Sequence, residues 1–160
     1  VQFVDNHDTQ PGQALESFVM EWFKPLAYAL ILLRNDGIPC VFYGDLYGIP
    51  HNGIKPVKGL ETLLKIRKDF LYGAEHNYID DHHCVGWTRE GAEGKSAVAV
   101  ILTNECRNTK KMYVGTRQKG KQYADVLANR PETVLIDEEG YGLFPVEGGS
   151  VSVYMEKGEL

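Results

Sequence analysis

The chain has 160 residues, of which 22 are acidic and 17 are basic, and its formal net charge is -5 at pH 7. This length fits one domain or two small ones. Hydrophobic residues make up 43% and charged residues 24% of the chain, which excludes wholesale disorder. The mild acidity argues against a nucleic-acid partner, because no basic surface would release counterions from phosphates.

The cysteines and the apolar stretches indicate the compartment of the protein and whether it binds a membrane. Cys40, Cys84 and Cys106 lie far apart and form no C-x-x-C pair, which argues against a disulfide framework and favours a reducing, cytoplasmic compartment. The compartment stays open, since any signal peptide would precede Val1. Cys40 lies in an apolar run, so we expect a small core residue. The longest apolar stretch is about half of the roughly 20 residues that a transmembrane helix needs, so we expect no membrane partner.

The first 73 residues alternate between strand and helix signals. Val1–Val4 predicts a buried strand, Ala14–Phe23 and Lys24–Arg34 predict helices, and Ile38–Tyr43 is typical of a buried parallel strand. Gly59–Phe70 predicts an amphipathic helix. Two such units cannot cover both faces and both edges of a parallel sheet. We therefore expect this half to be the end of a larger α/β domain.

From about Gly73 onward the pattern changes to short, partly alternating strands separated by turn clusters. The predicted strands are Val85–Arg89, Ala97–Leu102, Lys111–Val114, Gln122–Leu127, Thr133–Ile136 and Val151–Met155. Strands at this spacing predict an antiparallel sandwich or barrel.

One polar cluster, Asp5-Asn6-His7-Asp8, directly follows the first predicted strand. Ligands of α/β barrels and open sheets bind at the carboxyl ends of the strands. A carboxylate there can hold two adjacent hydroxyl groups or stabilise positive charge, and a neighbouring histidine can donate or accept a hydrogen bond. The alternative is an Asx-type turn before a helix, with Asp8 or Thr9 as the helix cap.

The segment FVDNHDTQPGQ resembles the last signature motif of the α-amylase family of glycoside hydrolases. Further segments resemble the C-terminal part of a bacterial liquefying-type α-amylase in the same order: WFKPLAYALILLR, CVFYGDLYGIP, LLKIRKDFLYGAEHNYID, VGWTREG, KMYVG and VEGGSVSVYM. The resemblance covers essentially the whole chain and implies that it is a C-terminal fragment of such an enzyme.

The resemblance implies a fold class of α/β plus all-β. Residues 1–74 would form the last two βα units of a (β/α)8 TIM barrel, with Val1–Val4 as strand seven and Cys40–Tyr43 as strand eight. Residues 75–160 would form an antiparallel β-sandwich C-terminal domain. This division matches the change of pattern near Gly73.

The resemblance also implies an activity and roles for residues of the polar cluster. The family hydrolyses internal α-1,4-glucosidic bonds of starch- or glycogen-like glucans with retention, using a nucleophile and an acid/base carboxyl group. Asp8 would be a third acidic residue that holds sugar hydroxyls and stabilises the transition state, and His7 would bind the same sugar. Asp5 and Asn6 would hold the turn. The nucleophile and the acid/base would come from a missing N-terminal barrel portion, so we expect this chain alone to be inactive.

Residues 80–83, two aspartates followed by two histidines, are candidate metal ligands. His82 and His83 lie near Asp80 and Asp81, but adjacent residues on a strand point to opposite faces and rarely bind one ion. Some liquefying amylases carry a calcium ion between barrel and β domain. By resemblance His82 matches a position of that site, whereas His83 and Asn104 replace two aspartates, and calcium prefers charged oxygen ligands. We therefore expect no metal or cofactor in this chain. His82 would be a remnant of the calcium site, and only the full-length enzyme would bind calcium.

The aromatic residues Trp87, Tyr113, Tyr123, Tyr141 and Tyr154 allow two interpretations. They could stack on glucose rings at a surface site, or they could pack a sandwich core, which strand spacing favours. The surface interpretation would make the chain a stand-alone carbohydrate-binding or structural module. A related glucan transferase of the same superfamily is a third candidate.

Overall fold

The computed structural model describes residues 1–160. Its first part contains two short strands and three helices, which are β1 (Gln2–Phe3), α1 (Lys24–Leu33), β2 (Pro39–Cys40), α2 (Tyr43–Tyr47) and α3 (Leu60–Asp69). The strands β1 and β2 pair in parallel, with Gln2 opposite Pro39 and Phe3 opposite Cys40. A single 3-10 turn, Pro50–Asn52, lies between α2 and α3.

The second part consists of antiparallel strands. They are β3 (Glu75–Tyr78), β4 (Cys84–Arg89), β5 (Val98–Thr103), β6 (Asn108–Tyr113), β7 (Gln122–Asp125), β8 (Val134–Leu135), β9 (Tyr141–Val146) and β10 (Val151–Glu156). Six strands form one sheet in the order β3-β4-β5-β10-β7-β8, and β6 pairs with β9 in a second sheet. The antiparallel all-β C-terminal domain expected from the sequence is confirmed.

Two hydrophobic clusters lie on opposite faces of the six-stranded sheet. On β5, Val98, Val100 and Leu102 pack toward α1 and α3, whereas Ala99 and Ile101 pack toward β6 and β9. Alternation along a strand produces this division, because successive side chains point to opposite faces. The cluster on the helical side joins the two parts of the chain, and the division into domains at residues 74 and 75 stays a prediction.

The helix predicted over Ala14–Phe23 is wrong, and the first helix begins at Lys24. Two backbone N–H groups of this segment donate hydrogen bonds to residues outside it. Ser17 N donates to Thr9 O at 3.1 Å, and Val19 N donates to Asp5 Oδ1 at 3.0 Å. These bonds hold a loop against the end of β1, and Pro25 fits the first turn of the helix that follows.

The predicted parallel strands are shorter and more exposed than expected. The run Ile38–Tyr43 contributes only two residues to β2, and α2 begins at Tyr43. Val1 is 88% and Phe3 53% exposed, and Cys40 is exposed rather than part of the core. The reason is that β1 and β2 pair only with each other, so the outer edge of each strand is uncovered. A TIM barrel is therefore not present in residues 1–160, and the assignment of residues 1–74 to the last two βα units of such a barrel stays a prediction.

Two strands of the second part were not predicted. β3 (Glu75–Tyr78) is polar, and β9 (Tyr141–Val146) contains Gly142 and Pro145, both of which are unfavourable in a strand. Proline is tolerated on β9 because that strand pairs on one side only, with β6.

None of the helices has the length and apolar composition that a bilayer-spanning segment requires. All three cysteines are free thiols.

Candidate functional site

The polar cluster after β1 forms a local turn closed by Asn6. The Asn6 Oδ1 atom accepts hydrogen bonds from the backbone N–H of Asp8 at 2.8 Å and of Thr9 at 3.0 Å. Thr9 Oγ1 accepts one from Asn6 N at 3.2 Å. The expectation of an Asx-type turn is confirmed, but neither Asp8 nor Thr9 caps a helix, because no helix begins there.

The turn leaves the two candidate sugar-binding residues open to solvent. The side chains of His7 and Asp8 are 82% and 61% exposed, and His7 Nε2 lies 3.3 Å from Asp8 Oδ1. This pair offers a carboxylate and an imidazole to one ligand, so it can accept from and donate to neighbouring hydroxyl groups.

Asp5 lies beneath this turn and is buried. Its Oδ1 atom accepts the Val19 N–H, and its Oδ2 atom lies 2.8 Å from the ammonium nitrogen of Lys24. The same Lys24 Nζ lies 2.5 Å from Asp45 Oδ1 on α2, and its distance to the centroid of the Phe18 ring is 3.2 Å. One buried lysine therefore joins the end of β1, the start of α1 and the short helix α2.

Tyr28 completes this group, which we name the Lys24 cluster (Asp5, Lys24, Tyr28 and Asp45). The Tyr28 hydroxyl donates to Asp45 Oδ2 at 2.6 Å. Burial, followed by this bond to a carboxylate, raises the pKa of Tyr28 well above its ordinary value. The neutral phenol therefore persists as a hydrogen-bond donor across the physiological pH range. Through Asp5, the cluster stabilises the backbone directly before the Asn6 turn.

The roles of Lys24 and Asp45 were not predicted from the sequence. The available signal was a charge within an apolar run: Lys24 is the one charged residue of α1, and Asp45 lies within the segment FYGDLYG. Charged residues are almost never fully buried unless they are paired. Which charge would pair with which could not be inferred, because Lys24 and Asp45 are 21 residues apart.

The histidine segment before β4 has its own partners. The rings of His82 and His83 lie 4.1 Å apart, and His83 Nδ1 lies 3.1 Å from Asn104 Oδ1 and 3.2 Å from Glu105 Oε1. The His83 backbone N–H donates to Asp81 at 2.8 Å, which lowers the pKa of that carboxyl group. No three His, Cys, Asp or Glu side chains of the chain are arranged to hold a metal ion.

The aromatic residues divide between the core and the surface. Trp87, Tyr123 and Tyr154 are fully buried, so the core interpretation is confirmed for these three. The Trp87 indole N–H donates to Leu33 O at 3.1 Å, which fixes the ring beneath α1 and away from any ligand. Tyr113 and Tyr141 are partly exposed, with ring centroids 5.1 Å apart.

Residues 98–155 match the family model described as "Alpha-amylase C-terminal". The match begins at the first residue of β5 and ends within β10. The match therefore covers the strands from β5 to β10 of the sandwich.

The whole chain is similar to bacterial alpha-amylases. It is 51% identical over 160 residues to an alpha-amylase of Geobacillus stearothermophilus, covering 98% of this chain and 29% of that protein. It is 50% identical over 163 residues to an alpha-amylase of Bacillus licheniformis, covering 98% of this chain and 32% of that protein. The chain thus spans about 30% of the length of these relatives. The resemblance to the C-terminal part of a bacterial liquefying-type α-amylase is confirmed.

Solved structures share the fold at lower identity. A gamma-CGTase from alkalophilic Bacillus clarkii gives a TM-score of 0.62 at 19% identity, covering 96% of this chain and 25% of that chain. An Anoxybacillus alpha-amylase gives a TM-score of 0.63 at 15% identity, covering 96% of this chain and 37% of that chain. At these identities the likeness shows the shared fold alone.

Proposed function

We propose that this chain is the C-terminal part of a retaining, endo-acting α-amylase that hydrolyses α-1,4-glucosidic bonds in starch- or glycogen-like glucans. The identity of about 50% with two alpha-amylases over 98% of the chain supports the reaction class. The observation that carries the site is the exposed His7–Asp8 pair on a turn anchored from below by the Lys24 cluster.

In this proposal Asp8 holds hydroxyl groups of the sugar at the cleavage point and stabilises the oxocarbenium-like transition state. His7 binds the same sugar, while Asp5 and Asn6 hold the turn. Their geometry supports this division, because Asp8 is exposed and Asp5 is buried against Lys24. A charge placed where charge develops in the transition state lowers the barrier most, and about 1.4 kcal/mol corresponds to a tenfold change in rate.

The proposal assigns the nucleophile and the acid/base to a preceding barrel portion. Residues 1–74 would then be its last two βα units, with β1 as strand seven and β2 as strand eight. The parallel register of β1 and β2 supports this, and so do the exposed apolar side chains of Val1, Phe3 and Ile38, which neighbouring strands would cover. Retaining hydrolysis needs two closely spaced carboxyl groups. The chain alone is therefore proposed to be inactive.

In this proposal, calcium binds only to the full-length enzyme. The residues present here do not fit a calcium site, because His83 contributes nitrogen where calcium prefers charged oxygen, and its Nδ1 atom already lies 3.1 Å from Asn104 Oδ1 and 3.2 Å from Glu105 Oε1. No step of the proposed reaction depends on a metal held by this chain.

The test is complementation. Starch hydrolysis, measured as released reducing ends, is expected when the chain is combined with a preceding barrel portion, and from neither part alone. Turnover by the chain alone would contradict the assignment of the missing carboxyl groups, and no turnover by a folded complex would contradict the proposed reaction.

The two alternatives predict different results. A glucan transferase would release longer transfer products rather than short oligosaccharides, and the relatives named alpha-amylase favour hydrolysis. A carbohydrate-binding module centred on Trp87 would lose glucan binding in Trp87→Ala. The burial of Trp87 argues against that module.

A further inference from the structure

The hydrogen bonds within the Asn6 turn set its shape but not its position in the molecule. Asn6 Oδ1 accepts from the N–H groups of Asp8 and Thr9, which belong to the same turn. The strand before the turn is short, because β1 pairs with β2 over two residues. The position of Asp8 therefore depends largely on contacts between this turn and other parts of the chain.

Two backbone N–H groups of the loop before α1 hold the turn from both sides. Ser17 N donates to Thr9 O at 3.1 Å, at the end of the turn. Val19 N donates to Asp5 Oδ1 at 3.0 Å, directly before the turn. The turn is therefore held in place only as firmly as this loop is.

Lys24 contacts both the turn and this loop. Its Nζ atom lies 2.8 Å from Asp5 Oδ2 and 3.2 Å from the ring centroid of Phe18, the residue between Ser17 and Val19. A cation over an aromatic ring is attracted to it, most strongly where water is excluded, and Lys24 is buried. One ammonium group therefore holds both the carboxylate before the turn and the loop that binds the turn.

Asp45 holds the ammonium group from another direction. Lys24 Nζ donates to Asp45 Oδ1 at 2.5 Å, and the Tyr28 hydroxyl donates to Asp45 Oδ2 at 2.6 Å. The same hydroxyl accepts the Phe42 N–H at 3.4 Å, which connects the start of α2 to α1. The Lys24 cluster thus joins the carboxyl ends of β1 and β2.

We propose that Lys24 and Asp45 are positioning residues that hold the Asp8 carboxylate where the transition state needs it. Both are buried, so they act through Asp8 and not on the substrate. A buried ion pair adds little net stability over a well-packed apolar group, whereas in some proteins it selects one arrangement over others. A misplacement of about 1 Å can cost about 10²-fold in rate. The inference rests on the proposed function, in which Asp8 stabilises the transition state.

Steady-state kinetics of the complemented enzyme on a soluble maltooligosaccharide test this role. Lys24→Met is expected to lower kcat about 10- to 100-fold per folded molecule and to change KM less than about threefold, because a displaced Asp8 loses contacts made mainly in the transition state. Asp45→Asn keeps an acceptor for Tyr28 and should lower kcat less. The matched control is Leu32→Ala, a destabilising change in the buried core of the same helix, which should leave kcat per folded molecule unchanged.

A double-mutant cycle separates positioning from a merely structural role. If Lys24 acts through Asp8, Lys24→Met should lower kcat less than about twofold further once Asp8→Asn is in place. A structural role that is independent of Asp8 would give the same fold-loss in both backgrounds.

Amide hydrogen exchange of the chain alone gives a second measurement that does not depend on activity. In Lys24→Met, the amides of Thr9 and Val19 are expected to exchange at least about tenfold faster, because the contacts that hold the turn open locally. Leu32→Ala should leave these two rates unchanged. Should Lys24→Met fail to fold, Asp45→Asn carries both the exchange and the kinetic test.

Three results would overturn the proposal while leaving the proposed function intact. They are an undiminished kcat in folded Lys24→Met when Asp8→Asn lowers it, equal fold-losses in the two backgrounds of the cycle, and unchanged exchange at Thr9 and Val19. An undiminished kcat in Asp8→Asn would instead refute the proposed function, and the positioning role with it.

Discussion

Replacing Lys24 with methionine is expected to lower the free energy of unfolding by about 3–5 kcal/mol, the usual cost of leaving a buried charge unpaired. Methionine keeps the length and most of the volume of the side chain, so packing changes little. The electrostatic change is large, because Lys24 Nζ lies 2.8 Å from Asp5 and 2.5 Å from Asp45, and both carboxylates are buried. Removing the ammonium leaves two negative charges facing each other in the interior.

Urea unfolding followed by far-UV circular dichroism measures this loss. Lys65→Met is the matched control, because Lys65 is exposed on α3 and its replacement should change stability by less than about 0.5 kcal/mol. Adding Asp45→Asn to Lys24→Met should cost less than the sum of the single changes, because it removes one of the stranded charges. A loss below about 1 kcal/mol in Lys24→Met would show that the cluster does not hold the loop and would refute this reasoning.

Two further predictions concern the turn and the sandwich core. Asn6→Ala removes the acceptor of two backbone N–H groups. It should lower the free energy of unfolding in urea by about 0.5–2 kcal/mol, as loss of a comparable helix cap does. An unchanged urea midpoint would contradict this prediction. Burial raises the pKa of Tyr123 to about 12, so the folded protein holds this proton more tightly than the unfolded chain. The free energy of unfolding should therefore fall as the pH rises from about 10 to 12, by up to about 1.4 kcal/mol per pH unit for this group. In Tyr123→Phe the urea midpoints measured across that pH range should fall less steeply.

The sandwich could be predicted from the sequence because its strands are buried on one or both faces. β4, β5, β7 and β10 were predicted to within a few residues, since β-branched and aromatic residues between glycine-rich turns have few other interpretations. β3 and β9 were missed because pairing with a neighbouring strand, rather than their own composition, makes them strands.

The first part was harder to predict because distant contacts decide its local structure. Ala14–Phe23 has apolar residues at helical spacing, yet Asp5 and Thr9 take N–H groups that a helix would use. The pattern of His7 and Asp8 indicated a ligand site, and the structure places both on an open turn. The buried lysine beneath that turn depends on a pairing between residues far apart in sequence, which periodicity cannot reveal.

The central claim is that Asp8 stabilises the transition state of glucan hydrolysis. The most direct measurement compares kcat and KM for a soluble maltooligosaccharide in the complemented enzyme with Asp8 or with Asp8→Asn, using the exposed Asp36→Asn as control. We predict that Asp8→Asn lowers kcat by about 10²–10³-fold or more with a smaller change in KM, as expected for a contact made mainly in the transition state. An undiminished kcat in folded Asp8→Asn enzyme would contradict the account.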